Sequence, residues 1–374
     1  MRINKPLSSG LLAAAVMALV PHTASAWSPK LEVNENTWVQ LGYLHQFWYQ
    51  SVDDGAGVAS DRSRSSEFFT RRNRVMLLGQ ATENVHFFLN YDAASGSGAG
   101  AYQDPVLTDA MIDFRISDAF KVMVGRQLVP FTIDNNTSAV TLTGIDYPTR
   151  ALANQPTTSA GAFWRDDGIT VRGLLAGGKI DYRVGYFAGD RDVGRNADDD
   201  GRYTGMVMYN FASPQGGWFF NQNSLGALDV LTIGAGMDNI SRSGAADDHE
   251  AWSVFFTMEK TLGAGHLSFN GTYIDWDGVV TNAPNTTPAP IAFGSGSSTS
   301  IQIAFLPTGS KWQPVLRWQQ QDPDDSDSLD TIGIGLAYYL SGHRVNIKAE
   351  YSIDDQFVGG KEVDAFRIQT QLFF

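Results

Sequence analysis

The chain has 374 residues and a formal net charge of −13, which makes it a poor candidate for binding nucleic acid, since phosphates attract basic proteins. It contains no cysteine, so disulfide bonds, thiolate metal sites and lipid anchors on cysteine are excluded. Glycine and aromatic residues are abundant while charged residues are few, a composition that favours strands and turns over long amphipathic helices.

The first predicted element is a secretion signal. Two basic residues, Arg2 and Lys5, precede a short apolar run, and an Ala-Ser-Ala triplet ends at Ala26. The run is too short to cross a bilayer as a helix, and small residues are what a signal peptidase recognises. We therefore expect a cleaved signal peptide at residues 1–26 and a single domain over residues 27–374. The alternative is an uncleaved N-terminal anchor.

Alternation with a period of two dominates the rest of the chain. In residues 331–340, large apolar side chains such as Ile332 and Ile334 alternate with small ones such as Gly333 and Gly335. A barrel wall in lipid has this pattern, because its large apolar residues face the acyl chains and its small or polar residues face the lumen. A soluble β-sandwich would instead bury the large residues between its sheets. No stretch after the signal is apolar for long enough to form a membrane helix.

The alternation predicts about sixteen strands of the length that a tilted membrane strand needs. They are expected at residues 38–49, 67–79, 83–92, 107–116, 119–126, 166–175, 179–188, 202–211, 226–238, 248–261, 264–276, 297–306, 312–321, 329–340, 343–354 and 363–374. Long and short connections alternate, as expected for long extracellular loops and short periplasmic turns. One connection, residues 212–225, is too long for a turn and could contain a bulge or mark an error in the count. The predicted fold is an all-β transmembrane antiparallel barrel.

The last strand predicts an assembly signal. Phe366, Ile368, Leu372 and Phe374 alternate up to the final residue. A strand that ends in phenylalanine resembles the signal by which the barrel-assembly machinery recognises bacterial outer-membrane proteins. Together with the secretion signal, this strand indicates the outer membrane of a Gram-negative bacterium, where lipid and lipopolysaccharide would surround the barrel.

Five segments of the N-terminal half are similar to the phosphate-selective porin O and P family and occur in the order found there. They are residues 68–79 (FFTRRNRVMLLG), 85–92 (VHFFLNYD), 107–115 (LTDAMIDFR), 122–131 (VMVGRQLVPF) and 164–173 (WRDDGITVRG). The resemblance implies a homotrimer of sixteen-stranded barrels, each with a pore narrowed by inward-folded loops. It also implies that basic residues near the constriction attract inorganic anions. Residues 71–74 (RRNR) fit this expectation, although the chain has no dense lysine cluster.

Charged residues on the predicted lumen face are the candidate functional residues. If Val75 and Leu77 face lipid, then Arg72 and Arg74 face the pore, because a basic residue on the lipid face costs about 2–4 kcal/mol at the midplane. The same parity predicts a pore-lining, anion-guiding set: Arg72, Arg74, Arg115, Lys121, Arg172, Arg183, Arg317, Lys348 and Arg367. The alternative is a self-neutralising network in which these cations pair with wall carboxylates and stiffen the barrel.

The long connection at residues 127–165 is expected to fold back into the barrel as a constriction loop, since loops of this length are usually functional or disordered. Its candidate residues are Asp134, Asp146, Arg150 and Arg165. Another loop, at residues 189–202, is rich in aspartate and could bind Ca²⁺ or bridge lipopolysaccharide through divalent ions. It lacks a complete EF-hand pattern, so a solvated acidic surface is the simpler interpretation.

No catalytic or metal-binding constellation is visible in the sequence. The histidines are scattered singly, without a nucleophile or a ligand set at a known spacing. We therefore expect neither an enzyme nor a cofactor or metal site. The leading hypothesis is passive diffusion of small hydrophilic solutes, with a tilt towards anions such as phosphate. The alternative is a barrel plugged by its own loops that serves a structural or surface-interaction role.

Overall fold

The computed structural model describes residues 30–53, 64–96, 102, 104–148, 164–189, 201–241, 248–278, 280–281, 292–356 and 361–374. The expected signal peptide, Arg150 of the expected constriction loop and residues 190–200 of the aspartate-rich loop lie outside these residues. No helix in the described ranges is long and apolar enough to cross a membrane.

The described residues form nineteen strands. They are β1 (Leu31–Asn34), β2 (Thr37–Val52), β3 (Ser65–Thr82), β4 (Val85–Asp92), β5 (Val106–Ser117), β6 (Phe120–Leu128), β7 (Arg165–Leu175), β8 (Ile180–Phe187), β9 (Arg202–Asn210), β10 (Val230–Ile240), β11 (His249–Leu262), β12 (Gly265–Asp277), β13 (Val280–Thr281), β14 (Ala292–Phe293), β15 (Gly296–Pro307), β16 (Trp312–Pro323), β17 (Leu329–Ser341), β18 (Val345–Gln356) and β19 (Lys361–Phe373). A single 3-10 turn, Ala176–Gly178, joins β7 to β8.

Sixteen of these strands, β2–β12 and β15–β19, pair in sequence order with antiparallel register, and the ring closes between β19 and β2. The short β1 extends β2 as a hairpin, while β13 and β14 pair only with each other. The predicted all-β transmembrane antiparallel barrel of sixteen strands is therefore confirmed. A closed ring leaves no unpaired edge, which is the condition for a sheet to persist in lipid.

The strand predicted to begin at residue 226 was placed too early. β10 begins at Val230, because Leu225 and Gly226 have φ values of 56° and 81°. Positive φ interrupts an extended chain before the strand can start. The connection before β10 spans residues 211–229 and forms no additional barrel strand, so the strand count was right and the strand's start was wrong.

The barrel has two distinct ends. The short connections, among them residues 83–84, 118–119 and 263–264, lie at the end where β2 starts and β19 finishes; we call this the turn end. The long connections lie at the opposite end, which we call the loop end. Residues 211–229 are the exception, because they are a long connection at the turn end.

The outer face of the wall is apolar and exposed. Val184 and Ile334 are 58% and 61% exposed, whereas the preceding residues Arg183 and Gly333 face the lumen and are buried. This is the parity that the sequence predicted for a wall in lipid. The inner face differs from that of a simple polar lining, because Met76, Met111 and Met123 point inwards and form part of a buried apolar cluster. The core of the molecule therefore lies inside the barrel.

Candidate functional site: the barrel lumen and its two inward segments

Residues 129–148, which follow β6, fold into the lumen from the loop end; we call them the loop-end segment. Thr132 and Asn135 exchange hydrogen bonds that close a turn, and the Asn135 amide donates to the Val129 carbonyl oxygen at 2.6 Å. The Ser253 hydroxyl of β11 donates to the Phe131 carbonyl oxygen at 2.9 Å. A Cβ at Gly236 would lie only 1.9 Å from that oxygen, so this approach requires glycine.

Four basic residues of the wall hold the end of the loop-end segment. Arg71 and Arg72 each bind one carboxylate oxygen of Asp146, at 2.8 and 2.6 Å. Arg317 donates to the Asp146 carbonyl oxygen at 2.9 Å. Lys348 donates to the Gly144 carbonyl oxygen at 2.8 Å and also to that of Leu142. These cations therefore bind protein oxygens rather than facing an empty pore.

A β-bulge explains why two consecutive arginines reach one carboxylate. The register between β2 and β3 shifts at Gln46 and Phe47, so Arg71 has no partner across the ladder and is the extra residue. A bulge re-aims side chains that strict alternation would separate. Burial alone would raise the pKa of Asp146, but the guanidinium groups of Arg71 and Arg72 hold it well below its usual range.

On strands β3–β10 of the wall, other cations and carboxylates pair directly. Arg74 binds Asp92 at 2.8 Å, and Arg165 binds Asp109 at 2.9 Å. Arg202 and Asp238 form a two-pronged ion pair between β9 and β10 and are both fully buried. Charge-assisted pairs of this kind fix the geometry of both partners. This half of the wall is therefore a largely neutralised network.

A second cluster of charges lies near the turn end around Asp113. Its carboxylate accepts hydrogen bonds from Arg115 at 2.8 Å, from Arg172 at 2.7 Å and from the Trp218 indole at 2.8 Å. The Arg115 guanidinium lies over the Trp218 ring at 5.4 Å, a cation–π distance. The Arg115 side chain is 35% exposed while that of Asp113 is fully buried, so water meets the positive partner of this pair.

Trp218 belongs to residues 211–229, which fold into the lumen from the turn end; we call them the turn-end segment. Arg183 donates to the Gly217 and Trp218 carbonyl oxygens at 2.8 and 3.1 Å and lies 4.1 Å from the Phe220 ring. The base of the segment is tied to the wall by Asn223, whose amide donates to Gln313 at 2.8 Å. Both ends of the lumen thus contain an ordered inward segment.

The other predicted site residues lie on the wall, in the loop-end segment and in β19. Lys121 donates to the Asp118 carbonyl oxygen at the turn end at 3.0 Å, and Arg367 donates to the Ser352 hydroxyl at 2.9 Å. Asp134 lies in the loop-end segment and is buried. Arg165 was assigned to the loop but lies in β7, because the strand begins one residue after Trp164. The predicted assembly residues lie on the outward face of β19 and at its end: Phe366, Ile368, Leu372 and Phe374.

The lumen wall is divided by charge. The basic and acidic residues of the lumen concentrate on β3–β10; the others include Glu259 on β11, Arg317 on β16, Lys348 and Glu350 on β18, and Arg367 on β19. Between them, β12, β15 and most of β16 present buried amides and hydroxyls: Ser268, Asn270, Thr272, Ser298, Ser300, Gln302, Gln313, Gln319 and Gln321. A cavity with room for about one water molecule lies where this neutral face meets Asp134, Gln222 and Arg317.

Two functional features were missed by the sequence reading. Arg71 was assigned to neither face, because a bulge leaves no trace in a period-two pattern. The inward position of Trp218 and Phe220 was also missed. The unexplained length of residues 212–225, together with the Trp-Phe-Phe triplet at residues 218–220, was the signal that could have revealed it. No three His, Asp or Glu side chains within the described ranges are grouped to hold a metal ion.

Known proteins similar to this chain include a porin, an outer membrane channel and another outer membrane protein. A sequence model of the phosphate-selective porin O and P family matches residues 40–230, while no curated protein sequence gives a significant match. The anion-selective porin from Comamonas acidovorans has a TM-score of 0.61 at 14% identity, over 90% of this chain and 100% of that one. The outer membrane channel DcaP of Acinetobacter baumannii has a TM-score of 0.61 at 13% identity, over 92% and 99%. The loop L8 deletion mutant of OmpT, an outer membrane protein of Vibrio cholerae, has a TM-score of 0.57 at 12% identity, over 91% and 100%.

Proposed function

Because the chain belongs to the phosphate-selective porin O and P family, we propose that it is an outer-membrane porin for the passive diffusion of small hydrophilic solutes, with a tilt towards anions such as phosphate. The observation that carries the tilt is the Arg115–Asp113 pair near the turn end. Other pairs differ less or in the opposite sense, as in Arg72–Asp146, but here the guanidinium side chain is 35% exposed while the carboxylate is fully buried. Passing solutes then meet positive charge, and charged pore linings select by electrostatics without covalent chemistry.

Replacement of Arg115 by serine is expected to lower the anion-to-cation permeability ratio by up to about fivefold. A unit charge at about 4 Å in water contributes roughly 1 kcal/mol. Arg172 and Trp218 still bind Asp113 in the variant, so the barrel should fold normally. Reversal potentials across a KCl gradient measure the ratio. Lys260→Ser, which removes an exposed charge from the outer surface, is the control, and equal ratios in both variants would contradict the tilt.

The packing of the lumen favours a second candidate function, a barrel plugged by its own loops with a structural or surface-interaction role. Most inward side chains of the described strands are buried, as are Phe131, Thr132 and Thr143 of the loop-end segment. Such a barrel would pass no current in a planar bilayer. Single-channel recording of the wild-type protein therefore separates the two candidates.

The proposed location follows from the same family. The turn end would face the periplasm, residues 1–26 would be removed on export, and Phe374 would be recognised by the barrel-assembly machinery. The apolar outer face, rich in exposed aromatic residues such as Trp252, Trp312 and Tyr203, suits acyl chains and an interfacial aromatic belt. Lipid and lipopolysaccharide are the expected surroundings.

The proposed homotrimer is supported by a polar pair on the outer face. His45 and Asn73 are register partners on β2 and β3 and point outwards. The Tyr43 hydroxyl donates to Asn73 at 2.9 Å, and His45 Nδ1 has no hydrogen-bond partner within the described residues. Polar groups are costly against lipid, whereas an interface between barrels can satisfy them. This face is therefore the proposed contact between copies.

The double variant His45→Leu with Asn73→Leu is expected to form fewer trimers while its barrel still folds, because leucine suits the lipid face. The oligomer distribution in detergent, measured by light scattering after size exclusion, reports the effect. Thr299→Leu, on the outer face of the distant strand β15, is the matched control and should leave the distribution unchanged. An undiminished trimer fraction in the double variant would show that this face is not the contact between copies.

A further inference from the structure

We propose that the turn-end segment (residues 211–229) is a second constriction element, and that solutes pass when it separates from the loop-end segment. The inference rests on the proposed porin function and adds a control point at the end of the barrel opposite the long loops. The turns at this end are otherwise short, and a simple turn requires no inward fold. Three sets of contacts argue that this connection acts on the lumen.

The first set is a direct backbone link between the two segments. The Phe220 N–H donates to the Asn136 carbonyl oxygen at 2.9 Å, and the Ser138 N–H donates to the Phe220 carbonyl oxygen at 2.9 Å. Thr137 and Phe220 thereby form an isolated parallel bridge inside the barrel. The Phe220 side chain is fully buried with Ile133 of the loop-end segment and with wall residues Met206, Met208 and Phe255. The turn-end segment and the loop-end segment are therefore in direct contact inside the barrel.

The second set is a side-chain latch made by Gln222. Its amide nitrogen donates to Asp134 at 3.0 Å, and its amide oxygen accepts from the Thr143 N–H at 3.0 Å. Asp134 also accepts a hydrogen bond from Thr272 of the wall at 2.5 Å. Burial raises the pKa of the Asp134 carboxyl, although both hydrogen bonds act to lower it. One glutamine therefore joins two points of the loop-end segment.

The third set places the segment beside the exposed cation of the lumen. Trp218 packs against Phe88 at 5.7 Å between ring centroids and lies under the Arg115 guanidinium. A solute drawn to Arg115 therefore meets the indole of the turn-end segment. Because Trp218 also donates to Asp113, movement of the segment would change the surroundings of that charge cluster.

The segment has a fixed base from which such a movement can occur. Asn223 is bound to Gln313, and its carbonyl oxygen contacts His343 at 2.7 Å. The Ser224 N–H and hydroxyl both donate to Glu259 at 2.7 Å. The part that enters the lumen, residues 215–221, is closed on itself by hydrogen bonds between Gln215 and Asn221. It is a compact unit, held at its base by the bonds of Asn223 and Ser224 and within the lumen by Arg183 and Asp113.

The test uses engineered cysteines, because the chain contains none. In the double variant Thr137→Cys with Phe220→Cys, the bridge places both residues within the range that a disulfide spans. We expect the oxidised protein to lose most of its single-channel conductance and a reductant to restore it. The control pair, Thr299→Cys with Gln320→Cys, joins register partners on the outer face of the wall. Its conductance should not depend on oxidation.

Two single variants keep the inference testable if the cysteine pair fails to fold. Trp218→Ala and Gln222→Ala should each raise conductance over the wild type, because one removes bulk and the other removes the latch. Wild-type current with no effect of the disulfide or of either substitution would overturn the second constriction and leave the porin function intact. Current in the variants but not in the wild type would support it. Absence of current in every protein would refute the porin function itself.

Discussion

Replacement of Asp146 by alanine should enlarge the single-channel conductance and destabilise the folded barrel by about 3–5 kcal/mol, the cost of breaking a buried ion pair by removing one partner. The loop-end segment would lose its carboxylate contacts with Arg71 and Arg72, and Arg72 would remain buried without an anion. The carboxyl pKa lies well below its usual range, so the wild-type pair persists at mildly acidic pH. The temperature at which the barrel unfolds in detergent measures the stability change.

Asp118→Ala is the matched control for this prediction. Asp118 has an almost fully exposed side chain and a long 3.4 Å contact with Lys121, and exposed pairs contribute about 0–1 kcal/mol. The control should unfold close to the wild-type temperature and keep the wild-type conductance. If Asp146→Ala behaves like the control in both measurements, the arginine pair does not hold the segment.

Deletion of Phe374 is expected to abolish most of the surface-assembled protein while export across the inner membrane continues. The Phe374 N–H and carbonyl group exchange hydrogen bonds with Tyr43 at 3.1 and 2.9 Å, and the two rings lie 5.7 Å apart. These contacts complete the seam between β19 and β2, and an incompletely paired edge is costly in lipid. Protease accessibility on intact cells and the periplasmic level of unfolded chain measure the two outcomes.

Phe211→Ala provides the comparison for the deletion. Phe211 is also an exposed aromatic residue at the turn end, but it lies outside the closing seam and outside the last strand. Loss of a lipid-facing ring alone would lower both yields equally. A normal surface yield of the shortened chain would remove the basis for a terminal assembly signal.

The barrel was readable from the sequence because lipid imposes a simple rule on each strand. Ile332 and Ile334 face the acyl chains while Gly333 and Gly335 face inwards, and sixteen repetitions of this rule leave little freedom in the count. Strict alternation also puts Arg72 and Val75 on opposite faces of β3. In the structure Arg72 is buried in the lumen and Val75 is exposed on the outer face. Strand ends were less certain, as Leu225 and Gly226 show, because positive φ is not visible in a pattern of apolar residues.

The contents of the lumen were not readable in the same way. Inward residues contact chain that is distant in sequence, as when Arg317 reaches the carbonyl of Asp146, and no local period encodes such a pairing. Whether a lumen arginine attracts solute or binds a carbonyl depends on where the loops fold. The turn-end segment was unpredictable for the same reason. The residues adjacent to Trp218 in sequence do not determine whether its side chain faces solvent or contacts Asp113.

Three of the methionines that point into the barrel, Met76, Met111 and Met123, make its apolar interior deformable. Methionine is unbranched and has three rotatable side-chain bonds, so it fills irregular gaps that a branched residue would leave empty. A shift of Phe131 or Leu142 against this surface can be accommodated by new rotamers rather than by an open void. Full withdrawal would wet the thioethers, and the hydrophobic effect would draw the segment back. The apolar interior can therefore adapt to small shifts of the loop-end segment, and it opposes complete withdrawal of that segment.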